Sequence, residues 1–181
     1  METIVIASLE NGLLENSLKG GLGILEKDLF EDLKNFNIPD DIRFIFISPF
    51  YSKVEEQELR EGEIYFFTRE VKPQENGLIL VDEFDEKIKG ENVKFEVYKF
   101  PRSNGKIESY FVFCKQFNHP LYRAGSAENE LRTIYYFARD SKRFFERNNI
   151  YPEILILNES DTAFFAYFFP DSKKFLDPYS L

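Results

Sequence analysis

The 181-residue chain has no tryptophan, one cysteine, one histidine and one methionine. The lone cysteine, Cys114, excludes an internal disulfide, and its neighbours Val112 and Phe113 favour a buried thiol over a nucleophile. The lone histidine, His119, stands before a proline in a loop-like segment, so we expect neither a histidine-rich metal site nor a catalytic triad. The sequence therefore predicts no metal ion and no bound cofactor.

Basic residues are also scarce. The chain has 23 Lys and Arg against 32 Asp and Glu, which gives a net charge of -9 and an isoelectric point near 4.8. Nucleic acids and anionic membranes bind basic surfaces, so we expect neither partner. No apolar run approaches the roughly 20 residues that span a bilayer, and the N-terminus shows no signal-peptide pattern. These absences predict a cytoplasmic protein without a membrane segment.

The first 50 residues show the pattern of a β-α-β unit. Residues 3–7 and 42–48 are apolar runs typical of strands that are buried on both faces. Residues 22–36 carry apolar side chains every three or four positions, which predicts a helix resting on a core. This order predicts a right-handed crossover and a parallel sheet. The side chains that we expect to face inward are Leu22, Leu25, Leu29, Leu33 and Phe36, opposite Glu26, Lys27, Asp28, Glu31 and Asp32.

Residues 63–113 contain several strand-like runs separated by turn residues. Among them, Asn104 and Gly105 form a pair that predicts a type I′ turn with positive φ at both residues. Residues 53–62 are highly charged, and we expect a surface loop there. We interpret residues 63–113 as antiparallel hairpins attached to the parallel sheet, not as a second domain.

The last third predicts a long helix from Gly125 or Ser126 to about Asn148, a third buried strand at 154–157 and a short aromatic helix at 162–169. Residues 170–181 form a polar tail. We therefore expect one α/β domain over residues 1–181, with a Rossmann-like, mostly parallel sheet and an antiparallel hairpin insert. The long helix is expected to turn Leu131, Ile134, Tyr135, Ala138 and Phe145 inward.

Polar residues follow the predicted parallel strands, at the ends where open α/β sheets bind ligands. Glu10 follows the first strand and precedes a turn that contains Gly20, Gly21 and Gly23. Such a turn brings helix N–H groups to an anion, and it equally permits close packing of helix and strand. It is not a Walker P-loop, because it lacks the Gly-Lys-Ser/Thr that ends that motif. It is not a complete dinucleotide fingerprint either, because Glu26 stands where a third glycine is required. Both interpretations of the glycines stay open.

The third predicted strand is followed by Asn158, Glu159 and Asp161. If this strand lies beside the first, these residues face the glycine turn across one cleft. Glu159 and Asp161 would then suit an acid/base pair. Ser160 or Asp161 is also a natural cap for the helix that begins at Thr162, and capping is the commoner role of such residues. Catalysis and capping are both open at this point.

In their order, these motifs resemble the N-terminal domain of the bacterial starch and glycogen synthases, which are GT-B glycosyltransferases, and more distantly the glucan phosphorylases. Glu10 and Gly20-Gly21-Leu22-Gly23 are similar to the family's Glu-containing loop and Lys-x-Gly-Gly-Leu-Gly turn. Residues 48–51 resemble its proline and tyrosine strand end, and residues 129–145 its aromatic-rich helix. Residues 157–163 stand where the family has an Asn/Asp-Trp-His-Thr-Ala or Leu-Asn-Glu-Gly-His turn. The resemblance extends from about residue 3 to residue 169.

The resemblance implies one half of a GT-B fold and glucosyl transfer from a sugar nucleotide of the ADP-glucose type to an α-glucan, without a metal ion. Leu18 takes the place of the family lysine, with Lys19 one position later, and Ser160 and Asp161 replace the tryptophan and histidine of the turn. The C-terminal nucleotide-binding domain of such an enzyme would lie outside these 181 residues, so the resemblance implies a domain that is incomplete alone. It could be one subunit of a split enzyme with a separate C-terminal-half protein, or a fragment of a gene divided in two. The implied substrate-binding residues are Glu10, Lys19, Gly20, Gly21, Gly23 and Asn158, and the implied catalytic residues are Asp161 and Glu159.

Two alternatives belong to other functional classes. The chain could be a non-catalytic module that stacks aromatic side chains on α-glucan, or that assembles with a protein or a second copy through a sheet edge. A small flavodoxin-like or nucleotide-sensing domain fits the β-α-β start but not the hairpin block.

Overall fold

The structure of the chain is a computed structural model that describes residues 1–14, 21–60, 62–88, 90–120, 125–158 and 160–176, with the backbone alone at 21, 22, 160, 161 and 176. Within these ranges the elements are β1 (Glu2–Ala7), α1 (Gly21–Asn35), β2 (Ile42–Pro49), β3 (Lys53–Arg60), β4 (Glu63–Glu70), β5 (Ile79–Ile88), β6 (Glu91–Lys99), β7 (Ile107–Cys114), α2 (Ala127–Arg147), β8 (Ile154–Leu157), α3 (Phe164–Phe168) and β9 (Lys173–Leu176).

Seven strands form one sheet in the order β5-β6-β7-β2-β1-β8-β9, and β3 pairs with β4 in a separate hairpin. In this order the five strands β7-β2-β1-β8-β9 are parallel to one another. β6 pairs antiparallel with β7, and β5 pairs antiparallel with β6. The predicted α/β fold, with its mostly parallel sheet and antiparallel hairpin, is confirmed. Because β1 pairs with both β2 and β8, the carboxyl ends of these three strands are neighbours.

Aromatic side chains cover both faces of the sheet. Alternate residues of a strand point to opposite faces, so Val5 packs toward α2 and α3 while Ile6 packs toward α1. On the first face, the Phe137 ring of α2 lies 5.0 Å from the Phe165 ring of α3. On the second face, Phe30 of α1 packs edge-on against Phe46 of β2 at 5.4 Å. Each fully buried phenylalanine contributes about 1.5–3 kcal/mol, so this packing holds the strand ends firmly in place.

The rotation of α1 about its axis differs from the prediction. Leu25 is 57% exposed, whereas Phe30 is fully buried. The side of the helix that contains Gly23, Glu26 and Phe30 faces the sheet instead. Two contacts fix this rotation, and periodicity shows neither of them: the Phe30 ring packs against aromatic rings of the sheet, and the Gly23 backbone lies against the loop after β1. The other exposed members of the predicted inward set are Leu29 and Phe36.

Helix α2 begins where the sequence predicted, because the Ser126 hydroxyl accepts the Asn129 N–H at 3.2 Å. Ile134, Ala138 and Phe145 are buried as expected. The prediction is wrong for Leu131, which is 55% exposed, and for Tyr135, which is also exposed. The buried face of α2 is rotated relative to the predicted one, because the aromatic side chains of the helix pack against the sheet. The buried residues not predicted are Thr133, Tyr136, Phe137, Asp140, Ser141 and Phe144.

Three local predictions are wrong. Residues 53–60 form β3 and not a loop, because the hairpin that contains them is solvent-exposed and tolerates charged side chains. At the predicted type I′ turn, Gly105 does not have a positive φ. The Asn104 side chain shapes that turn by accepting the N–H groups of Lys106 (3.0 Å) and Ile107 (2.9 Å). The predicted polar tail contains β9, which pairs with β8 at the sheet edge.

No helix in the described ranges is both long and apolar enough to cross a membrane.

Candidate ligand site at the carboxyl ends of the parallel strands

Buried polar side chains collect where β1 and β2 end. Ser8, Glu10, Asn11 and Ser48 are each at most 5% exposed. Burying polar groups is unfavourable unless they find hydrogen-bond partners. Glu10 and Asn11 have such partners within the chain, so the loop after β1 is a structured part of the molecule. It lies at the carboxyl ends of the strands, where ligands bind in open α/β folds.

Glu10 joins this loop to the start of α1. The Gly23 N–H donates to Glu10 Oε2 over 3.1 Å. The first turn of a helix carries N–H groups without intrahelical partners and a partial positive charge, which favour a carboxylate there. The sequence left open whether the glycine turn presents such groups to an external anion or permits close packing. In the structure, a carboxylate of the chain itself occupies one of them.

Asn11 and Gly12, which the sequence did not single out, complete the loop. Asn11 Nδ2 donates to Ser48 Oγ (3.1 Å), and Asn11 Oδ1 accepts the Leu13 N–H (2.9 Å), so the loop is tied to the end of β2. Gly12 lies so close to α1 that a Cβ atom there would stand 1.9 Å from the Gly23 carbonyl oxygen. Only glycine fits this contact. The sequence signal was present, because Asn-Gly follows directly on Glu10, but its partner is 11 residues further along the chain.

The third strand end lies on the other side of β1. The Asn158 N–H donates to the Ala7 carbonyl at 3.0 Å, and the Asn158 carbonyl accepts the Thr162 hydroxyl at 2.9 Å. Asp161 lies in a short 3₁₀ helix, Ser160–Ala163, and the structure describes only its backbone. Gly21 begins α1. Lys19, Gly20 and Glu159 lie outside the described residues, so their predicted roles stay predictions.

A cavity of about 330 Å³ opens beside these strand ends, between Leu9, Tyr51, His119 and the first turns of α2. Its wall combines apolar Leu9 and Ile134 with Glu130. The Tyr51 and His119 rings are 5.4 Å apart. A volume of this size is at the lower end of the range for small-molecule sites.

Hydrogen bonds fix the orientation of the His119 ring. Nδ1 lies 2.8 Å from the Pro120 carbonyl oxygen, which only accepts, so Nδ1 carries a hydrogen. Nε2 then faces the Thr133 hydroxyl at 3.1 Å. The sequence placed His119 in a loop before a proline. Its partner is 14 residues away on α2, in a helix position that gives no sequence signal.

Two titratable groups with raised pKa values do not line the cavity. Asp140 of α2 is fully buried, and neither carboxylate oxygen has a hydrogen-bond partner among the described residues. Burial raises the pKa of Asp140 well above its usual value, and the nearby negative charge of Glu86 adds to the effect. Burial also raises the pKa of Cys114, which makes this thiol a poor nucleophile. The described side chains contain no group of three or more His, Cys, Asp or Glu that is arranged to hold a metal ion.

No protein-family model matches the sequence, and no curated protein matches it. Among solved structures, the chain is similar to the catalytic domain of starch synthase IV from Arabidopsis thaliana bound to ADP and acarbose, with a TM-score of 0.62 and 15% sequence identity. The match covers 97% of this chain and 33% of that chain, so this chain spans about a third of the length of the solved protein. At this identity the match shows the fold, which is the α/β fold found in part of a glycosyltransferase catalytic domain.

Proposed function

We propose that this chain is a glycosyltransferase-like domain that binds a sugar nucleotide of the ADP-glucose type or an α-glucan where β1, β2 and β8 end, and that transfers glucose only when a C-terminal half of the GT-B fold completes the cleft. The carrying observation is the fold likeness over 97% of the chain to a catalytic domain solved with ADP and acarbose. The buried polar loop and the adjacent cavity support this location, because both lie at the carboxyl ends of the strands, where such folds bind ligands.

The start of α1 is the proposed contact for the nucleotide phosphates. Helix N-termini attract anions through their N–H groups and their dipole. Because the Gly23 N–H already binds Glu10, an incoming phosphate would compete with that carboxylate. Lys19, with the amides of Gly20 and Gly21, would supply the positive charge that offsets the loss.

Glucosyl transfer breaks the bond between sugar C1 and the diphosphate oxygen and forms a bond from C1 to an acceptor hydroxyl oxygen. The nucleoside diphosphate leaves with the bonding electron pair, and the acceptor hydroxyl gives up its proton. Lys19 and the glycine amides would stabilise the leaving diphosphate. Glu159 or Asp161, which follow β8, would accept the proton. Asn158, which is hydrogen-bonded through its backbone to β1, would orient sugar hydroxyls.

The cavity beside Tyr51 is the proposed contact for a glucosyl unit. A sugar ring presents apolar C–H faces and a rim of hydroxyl groups. Leu9, Ile134 and the Tyr51 ring offer apolar surface for the faces, and Glu130 and His119 offer polar atoms for the rim.

The binding proposal is tested by titrating the ¹⁵N-labelled chain with ADP, ADP-glucose and maltoheptaose and following its amide NMR signals. We expect ADP to shift the signals of Gly12 and Gly23, and maltoheptaose to shift those around Tyr51 and His119. If no ligand moves any of these signals at millimolar concentration, the proposal is wrong.

Glu10→Gln sharpens this test. The amide oxygen of glutamine can still accept the Gly23 N–H, but the variant has no negative charge at the helix start. ADP should therefore bind about two- to fivefold more tightly, as a helix-terminus charge effect of this size predicts. Asp28→Asn is the matched control, because it removes one exposed charge from the same helix away from its start and should leave ADP affinity unchanged. An unchanged affinity in Glu10→Gln would place the phosphates elsewhere.

Catalysis is tested by incubating the chain with radiolabelled ADP-glucose and glycogen, alone and together with a candidate C-terminal-half protein. We expect glucose incorporation only in the mixture. Incorporation that never exceeds background, whatever the pairing, would contradict an enzymatic role and leave ligand binding alone.

A further inference from the structure

We propose that β4 pairs antiparallel with β4 of a second copy of this chain, which makes a four-stranded sheet from two hairpins. This inference does not depend on the proposed function. The hairpin of β3 and β4 is separate from the main sheet, and every residue of β4 is exposed. Phe66 is 75% exposed and Ile64 60%. An isolated two-stranded hairpin is marginally stable in water, and an unpaired edge is a template for another strand.

Backbone geometry decides which residues of β4 face the outer edge. Arg60 of β3 pairs with Glu63 of β4, so only residues 61 and 62 connect the strands. A two-residue connection is closed by a hydrogen-bonded pair, and hydrogen-bonded pairs alternate with non-hydrogen-bonded ones along an antiparallel ladder. The N–H and C=O groups of Ile64, Phe66 and Thr68 therefore point away from β3. In the described part of the chain, no strand pairs with that edge.

The sequence of β4 is complementary to itself when the pairing is centred on Phe66. In that register Phe66 lies opposite the partner's Phe66, Ile64 opposite the partner's Thr68, and Tyr65 opposite the partner's Phe67. Glu63 lies opposite the partner's Arg69, which places opposite charges at both ends of the strand. Aromatic pairs and opposite-charge pairs are the cross-strand contacts that stabilise antiparallel sheets. The register also uses the outward-facing N–H and C=O groups, because its centre is an outward-facing residue.

Other registers lack this complementarity. Centring on Phe67 would place Tyr65 opposite the partner's Arg69 and Ile64 opposite the partner's Glu70. Pairing through the outer edge of β3, centred on its outward-facing Gln57, would place Glu56 opposite the partner's Glu58, and like charges directly opposite are destabilising. The match of Glu63 with Arg69 within one strand therefore selects a second copy as the partner.

The hairpin face that carries Phe66 would become a continuous apolar strip. Leu59 lies directly opposite Ile64 in the hairpin, and both are exposed. In the dimer their counterparts lie on the same face, on the other side of the two Phe66 rings. One pair of eight-residue strands is a small interface compared with the roughly 1,200–2,000 Å² of stable complexes, so we expect a weak, concentration-dependent dimer.

Charge exchange between two variants tests the partner and the register together. Glu63→Arg and Arg69→Glu each place like charges at both ends of the pairing, so each variant alone should self-associate at least about tenfold more weakly. In an equimolar mixture the charges are complementary again, and a heterodimer should form with near wild-type affinity. Sedimentation equilibrium over about a hundredfold range of concentration measures all three samples.

Damage to the hairpin itself is controlled separately. Within one chain, Arg69 Nε is 2.6 Å from Glu56 Oε1, so Arg69→Glu also removes this ion pair. Glu56→Gln removes the same ion pair without changing the free edge and should dimerise like the wild type. Variants with a damaged hairpin would not recover association on mixing. A wild-type chain that stays monomeric throughout, or a mixture that is no more associated than its components, would overturn the proposal.

Disulfide trapping tests the centre of the register. Opposed residues in a hydrogen-bonded antiparallel pair have Cα atoms about 5.5 Å apart, within disulfide range. Phe66→Cys should therefore form a covalent dimer under mild oxidation. Thr68→Cys, on the same edge and face, would be displaced from its own counterpart by about 14 Å and should not. Equal cross-linking of the two variants would contradict this register.

Discussion

Gly12 lies in a tight contact between the loop after β1 and the start of α1. In Gly12→Ala, the new Cβ atom would lie 1.9 Å from the Gly23 carbonyl oxygen, 2.6 Å from its carbonyl carbon and 3.0 Å from Lys27 Cβ. Ordinary contacts begin at about 3.4 Å, so the helix start and the loop after β1 have to separate by roughly 1.5 Å. The obstacle is backbone, which cannot change rotamer to make room.

The expected loss of stability has two contributions. Forcing an extra methyl group into a packed site typically costs about 1–3 kcal/mol. The same displacement lengthens the bond from the Gly23 N–H to Glu10, and a hydrogen bond to a charged group contributes about 1.5–3 kcal/mol. Because partial relaxation recovers some of each contribution, we expect Gly12→Ala to lower the free energy of unfolding by about 2–4 kcal/mol. This is a large share of the roughly 5–15 kcal/mol that a domain has in total.

Urea unfolding followed by circular dichroism measures the difference. Gly105→Ala is the matched control, because nothing lies within 4 Å of a Cβ atom there and its φ is not positive. That variant should stay within about 0.5 kcal/mol of the wild type. If Gly12→Ala is as stable as Gly105→Ala, the close approach of the loop to α1 does not exist as described.

Three further predictions concern α2 and the core beneath it. The raised pKa of Asp140 means that, above the usual aspartate pKa, the folded state binds more protons than the unfolded state, so its contribution to stability is present at low pH and is lost as the pH rises. The stability of Asp140→Asn relative to wild type should therefore increase from about pH 4 to pH 7 in urea titrations; a difference that is independent of pH would refute this. Cys114 should react with a thiol reagent only when denaturant opens the fold, because the thiol is buried and its pKa is raised; rapid labelling of the native chain would be the opposite result. Ser126→Ala should lose about 1 kcal/mol of stability through its missing helix cap, whereas Ser126→Asp, which keeps an acceptor for the Asn129 N–H, should lose little; equal losses would argue against capping.

The sequence predicted the parallel core because its strands are short, continuous apolar runs. Residues 3–7, 42–48 and 154–157 are apolar because both faces of the sheet are covered. Apolar runs this short are typical of buried strands and not of helices. The start of α2 was equally predictable, because a serine cap acts within three residues of its own position. Local chemistry thus determined these elements, and their neighbours in space did not change the result.

Features that depend on distant contacts were not predictable. The rotation of α1 is decided by Phe46 of β2 and by Phe100, which directly follows β6, and the leucine spacing of the helix cannot show either contact. The charged strand β3 is a strand because β4 pairs with it, and not because of its own side chains. At the candidate site, Glu10 and Asn158 were identified from the sequence. Asn11, Gly12 and the partner of His119 were not, since their contacts join segments that are 11 to 37 residues apart.

The glycine turn began with two interpretations, phosphate contact and close packing, and the structure assigns packing to one particular pair. Gly12 and Gly23 bring the loop and the helix together, and Glu10 then places a negative charge on the Gly23 N–H. Close packing and phosphate contact are therefore not exclusive, because the packing itself holds the first turn of α1 at the carboxyl end of β1. An anion that enters there has to overcome the repulsion of Glu10 or displace it. Neutralising Glu10 while keeping its hydrogen bond thus separates the two roles, since packing would be unchanged and anion affinity would rise.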